Sequence, residues 1–108
     1  MPESDKAPRA LPHDLKAEMG VLGSMLLSPD AIYVARERLD DSAFYNIAHQ
    51  EVFNAILALA DEHNTVDLIL LRDELKQRDK LEKVGGVSYL QELMEAVPTS
   101  ANVEYYIE

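Results

Sequence analysis

Three histidines, His13, His49 and His63, are the side chains best suited to hold a metal or move a proton near neutral pH. Helical metal sites place two ligands three or four residues apart, so that both project from one face. His49 and Glu51 are two apart and diverge around a helix, which fails that spacing. His63 follows Asp61 and Glu62 at a helix end, where an imidazole interacts favourably with the terminal carbonyls. The adjacent Asp40 and Asp41 read as a solvated helix end rather than a metal-binding dyad. All three histidines are therefore assigned structural or surface roles. Phosphate chemistry fares no better: Gly20, Gly23, Gly85 and Gly86 form no G-x-x-x-x-G-K-[ST] loop to close around phosphate oxygens. With no cysteine there is no disulfide, thiolate metal site or sulfur nucleophile. No catalytic, cofactor-binding or metal-binding residue is assigned.

The charge pattern narrows the partners. Net charge is −10 over 108 residues. From Leu39 to Leu71 there are six acids and no Lys or Arg, and from Val84 to Glu108 four acids and again no base. Five of the ten basic residues fall between Arg72 and Lys83, mixed with four acids. A nucleic-acid reader needs a basic face that displaces counterions from phosphate, and none is supplied. The Arg72–Arg78 segment is the one candidate for a recognition helix, but Asp73, Glu74 and Asp79 would oppose phosphate. No direct DNA binding is expected of this chain.

The elements that must position these residues read as an all-α bundle of about six short helices. The hydrophobic fraction of 47% with 28% charged residues is that of a globular domain. No apolar run approaches the roughly 18–20 residues that span a bilayer, and "MPESDKAPRA" lacks the apolar centre of a signal peptide. A cytoplasmic protein without membrane contact is expected. Residues 1–10 read as a flexible leader and 11–108 as the helical domain. Leu15, Met19, Leu22 and Met25–Leu26 recur at helical spacing, and Gly20 and Gly23 within that helix suggest either a close helix–helix approach or, equally, glycines tolerated on a surface. "SPDA" starts the second helix, with Ser28 as N-cap and Pro29 in the first turn, and Ile32, Ala35 and Leu39 on one face. "SAFYN" is an irregular connection expected to bury Phe44 and Tyr45. Asn46 caps a third, central helix from Ile47 to about Glu62. Asp67 caps a fourth, with Leu68, Leu71 and Leu75 inward, and Lys83–Gly86 is a turn. A fifth helix buries Leu90, Leu93, Met94 and Val97 and stops at Pro98. Thr99 or Ser100 begins a sixth, carrying Val103, Tyr106 and Ile107 on one side.

Candidate partner contacts are exposed positions outside those stripes: Tyr33 and Arg36 on the second helix, and Arg72, Lys76 and Lys80 in the charged cluster. Tyr105 and Tyr106 join them because their helix has only about eight residues. An isolated helix under roughly 12–15 residues is marginal in water, so it must dock or extend. For any one of these residues an ordinary solvated helix face is the simpler reading.

The blocks "LPHDLKAEMGVLGSML" (Leu11–Leu26), "FYNIAHQEVFNAI" (Phe44–Ile56), "VDLILLRDELKQRDKLEKVGGVSYLQEL" (Val66–Leu93) and "VPTSANVEYY" (Val97–Tyr106) together resemble the N-terminal domain of the bacterial replicative DNA helicase, the DnaB family. Val-Gly-Gly-x-x-Tyr-Leu followed by Pro-Thr-x-x-Asn is the most specific of these signals. The resemblance implies a small all-helical head. In the family a helical hairpin, a linker and an ATPase domain follow it; the ATP and Mg sites lie there and are absent from this chain. It further implies self-association in a hexameric ring whose N-terminal collar engages primase, a helicase loader that places the ring, and single-stranded DNA held through the ring. The pairing hairpin would begin beyond about Ala101. On this reading the fragment is not itself an enzyme, while its parent is an ATP-dependent helicase. The alternative is an independent helical adaptor or primase-like interaction domain without a motor.

Overall fold

Two capping side chains set the architecture. In the computed structural model, which describes residues 15–63 and 66–97, Asn46 accepts from the backbone N–H groups of Ala48 (2.8 Å) and His49 (3.4 Å) and starts the longest helix. Asp67 accepts from Leu70 N at 2.8 Å and starts the next. Each satisfies donors that a helix start otherwise leaves without partners. The elements run α1 (Leu15–Leu27), α2 (Pro29–Arg38), a 3-10 turn (Asp41–Ala43), α3 (Ile47–Glu62), α4 (Leu68–Gln77), α5 (Leu81–Val84) and α6 (Gly86–Glu95). Among the described residues there are six α-helices and no strand. The leader, His13, Pro98 and the helix expected after it lie outside the described residues.

Ser28 occupies the N-cap of α2 in extended conformation, with Pro29 next, but its side chain makes no capping bond. The stop–start geometry comes from the backbone instead, with Ser28 N donating to Ser24 O at 3.0 Å. The segment expected as a plain turn at Lys83–Gly86 contains α5. That single helical turn is too short to show periodicity, and it is closed by Gly85 at φ 112°.

α1 packs on α2 and α6, and α3 packs on α1 and α4. Val21, Leu22, Met25 and Leu26 of α1, Val52, Phe53, Ile56 and Leu59 of α3, Leu71 and Leu75 of α4, and Leu90 and Leu93 of α6 form one buried cluster. Each of the closed leucines contributes roughly 1.5–3 kcal/mol through removal from water. Phe44 joins them, its ring 4.9 Å from that of Phe53. Gly23 is where α1 closes on α6: a Cβ there would overlap the Leu93 carbonyl oxygen and come within 2.6 Å of Val97 Cγ2.

Tyr45, expected in the core, is 74% exposed. Phe44 and Asn46 are both extended, and successive side chains of an extended segment alternate sides. Phe44 points in, Asn46 turns in to cap α3, and Tyr45 is left outside.

Candidate functional site

Three helices meet at one buried polar chain. Glu18 belongs to the inward stripe of α1, and His49 lies one turn before Val52 and Phe53 on the inward stripe of α3. Glu18 is 5% and His49 0% exposed. Glu18 Oε1 lies 2.7 Å from His49 Nδ1. The same carboxylate accepts from Tyr45 N (Oε2, 2.7 Å) and Asn46 N (Oε1, 3.4 Å). It therefore sits at the N-terminal end of α3, where negative charge is favoured. On the other side His49 Nε2 lies 2.6 Å from the Tyr89 hydroxyl of α6. The imidazole and phenol rings stack at 5.8 Å and 13°.

Burial pushes the Tyr89 phenol above its ordinary range, and the carboxylates of Glu92 and Glu18 push it the same way. The phenol therefore keeps its proton. With Nδ1–H donating to Glu18, a neutral imidazole accepts the phenol proton at Nε2, whereas a charged one donates Nε2–H to the phenol oxygen. Either arrangement leaves both ring nitrogens bonded, as buried polar atoms require. The arrangement has the outline of a carboxylate–imidazole–hydroxyl triad, but His49 is closed to solvent. Its physical role is to tie α1, α3 and α6 together.

The turn into α6 places the phenol. Gly85 takes a left-handed conformation that L side chains avoid, and a Cβ there would lie 2.7 Å from Tyr89 Cβ. Gly85 is thus the position whose missing side chain leaves room for Tyr89, four residues on, to stand over His49.

The candidate contact residues do not converge. Tyr33 is 66% exposed on α2. Arg36 is engaged within the fold, on Asp61 at 3.0 Å and the Leu57 carbonyl at 3.5 Å. Arg72 pairs with its neighbour Asp73 at 2.9 Å, and Lys76 is exposed in the last turn of α4. Lys80 lies 3.6 Å from Glu51. Glu51 and Asp61 are ten residues apart on α3, about 15 Å along its axis, so Arg36 and Lys80 serve opposite ends of that helix. Tyr105 and Tyr106 lie outside the described residues. His63 caps α3 through its backbone, donating to Leu59 O at 2.8 Å. Asp40 caps the 3-10 turn, accepting from Ser42 N at 3.0 Å and from the Ser42 hydroxyl. Among the described residues no group of three or more His, Asp or Glu could hold a metal ion, and no helix is long and apolar enough to cross a membrane.

Sequence reasoning did not single out Glu18, and it met Tyr89 only as the tyrosine of the Val-Gly-Gly-x-x-Tyr-Leu block. Each carried a signal: Glu18 is an acid on an otherwise apolar stripe, and Tyr89 follows a glycine pair.

Fold and polar centre together define a small all-α head whose interior polar groups fix helices to one another. The DnaB-like helicase N-terminal domain family matches residues 10–108, and the chain belongs to that family. It is 49% identical over 98 residues to the replicative DNA helicase DnaB of Geobacillus stearothermophilus, covering 91% of this chain and 22% of that protein. It is 45% identical, with the same coverage, to the replicative DNA helicase DnaC of Bacillus subtilis (strain 168). The crystal structure of the N-terminal domain of DnaB helicase from Mycobacterium tuberculosis superposes with a TM-score of 0.82 at 47% identity, covering 87% of this chain and 65% of that one. The chain thus spans about a fifth of the length of these full-length relatives.

Proposed function

We propose that this chain is the N-terminal assembly and partner-binding domain of a hexameric replicative DNA helicase. The observation that carries the reading is a family match over residues 10–108 in a chain that spans 22% of a replicative helicase. The longer protein, in the bacterial cytoplasm, unwinds duplex DNA at the fork with ATP and Mg bound in a separate ATPase domain. The domain described above contributes to the collar of the ring and helps to engage primase, while a loader places the ring on single-stranded DNA. The sequence supports this division of labour. Its glycines make no phosphate-binding loop, and its net charge of −10 opposes nucleic acid.

Two measurements test the reading. Solution mass should show a monomer or weak dimer for residues 1–108 and firm association once the following hairpin is added. The purified chain should neither hydrolyse ATP nor bind single-stranded DNA tightly. Stoichiometric ATP turnover by the pure chain, or no gain in association on extension, sinks it.

A further inference from the structure

The buried polar chain has two ends, and each holds a piece of structure at the surface. At one end Glu18 Oε2 accepts from Tyr45 N at 2.7 Å and Oε1 from Asn46 N at 3.4 Å. Asn46 caps α3, and the side chains on either side of it, Tyr45 and Ile47, point to solvent. At the other end stands Tyr89, half-buried in the first half of α6. α6 packs chiefly on α1, α4 and α5, so the 2.6 Å contact with His49 is its direct polar tie to α3. Between the ends, Glu18 and His49 are closed to solvent. Water cannot step in for a broken bond there, and its loss is passed to the next partner.

α6 is held at two points. Leu93 is wedged against Gly23, where no Cβ fits, and Tyr89, about 6 Å nearer the helix start, is bonded to His49. Gly85 and Gly86, which lead into α6, both have positive φ, and Gly86 has open space where a Cβ would stand. The wedge at Leu93 opposes a slide of α6 but not a small tilt about that point. The glycine pair can absorb such a tilt. A tilt about Leu93 displaces the Tyr89 hydroxyl from His49 Nε2, frees the imidazole, and loosens the carboxylate that holds the two amides. We propose that Tyr89, His49 and Glu18 form a mechanical relay, in which displacement of the first half of α6 unlatches the Tyr45–Asn46 connection and the capped start of α3. The exposed Tyr45 and Ile47 side chains ride on that backbone, so their placement depends on the position of α6. The three relay members are positioning residues. The relay belongs to the fold and is independent of the helicase reading.

The test is native-state amide hydrogen exchange of the isotope-labelled chain. Tyr89→Phe removes only the hydroxyl. Exchange at the Tyr45 and Asn46 amides should rise about threefold or more relative to the Leu70 amide, as loss of one net hydrogen bond gives; Asp67 holds that reference amide outside the relay. Ile32→Val thins the core on α2 and leaves the relay intact. It should lower stability comparably and move all three amides alike. In a Glu18→Gln background the effect of Tyr89→Phe on the two amides should fall below about half, because both changes break one chain. The relay is overturned by a uniform rise in Tyr89→Phe, by no rise at Tyr45 and Asn46, by the same selective rise in Ile32→Val, or by factors that simply multiply in the double variant.

Discussion

His49 Nε2 and the Tyr89 hydroxyl, 40 residues apart in sequence, lie 2.6 Å apart with their rings stacked, the imidazole fully buried and the phenol half-buried. This contact, with the Glu18 bond on the other ring nitrogen, makes the centre of the bundle specific rather than merely apolar. Hydrophobic burial alone tolerates helices that slide or rotate against one another. A carboxylate–imidazole–phenol chain is satisfied in one mutual arrangement of α1, α3 and α6.

Tyr89→Phe removes the hydroxyl and keeps the ring, leaving one nitrogen of a fully buried imidazole without its partner. Stability should fall by about 1–3 kcal/mol in urea unfolding, the cost of an unsatisfied buried polar group. Glu18→Ala should cost more, because it strips a partner from His49 Nδ1 and from Tyr45 N together. A Tyr89→Phe protein as stable as the parent would show that the chain contributes nothing.

Gly23→Ala sets helix propensity against packing. In the helix interior alanine is favoured by about 1 kcal/mol. The new methyl group, however, meets the Leu93 carbonyl oxygen, which is backbone and cannot rotate aside. The expected net effect is a loss of about 1–3 kcal/mol, as for other overpacked cores, with amide shifts concentrated in α6. A stabilised variant would mean that α6 can move outward at little cost.

Legibility from sequence followed the range of the interaction. Asn46 and Asp67 act on donors two or three residues away, so the starts of α3 and α4 could be read from neighbouring letters. The inward stripes of α3 and α4 followed from the 3.6-residue period. Of the two readings open for Gly23, the close approach is the one present, because its partner helix leaves no room for a Cβ. What escaped depends on contacts across the fold. His49 finds its partners 31 and 40 residues away, and no local pattern announces them. Tyr45 looked like a core aromatic beside Phe44, and its exposure follows from the extended backbone that Glu18 anchors. Nothing in α2 reveals that Arg36 pairs with Asp61, a helix away.

Gly85 and Gly86 both have positive φ, 112° and 76°, but they differ in surroundings. An added Cβ at Gly86 meets nothing within 4 Å, whereas at Gly85 it presses on Tyr89 Cβ. Gly86→Ala should therefore cost only backbone strain, about 1–2 kcal/mol. Gly85→Ala should cost that and the displacement of Tyr89 as well. The two are separable by the Tyr89 ring resonances, which should shift in the Gly85 variant and hold in the Gly86 variant. Equal losses with unchanged ring shifts would refute the role given to Gly85.

The raised pKa of the Tyr89 phenol makes a statement about alkaline stability. Burial, Glu92 and Glu18 all hold the proton on in the folded state, so between the unfolded value near 10 and the folded value the native chain binds more protons than the unfolded one. The corresponding stability is fully present below about pH 10 and is lost as pH rises through the folded pKa. Lysines also titrate in that range, so the parent protein must be compared with Tyr89→Phe across an alkaline series of urea unfolding curves. The difference between the two should be constant below about pH 10 and shrink above it. Parallel curves throughout would show that the phenol does not ionise differently in the folded and unfolded chains.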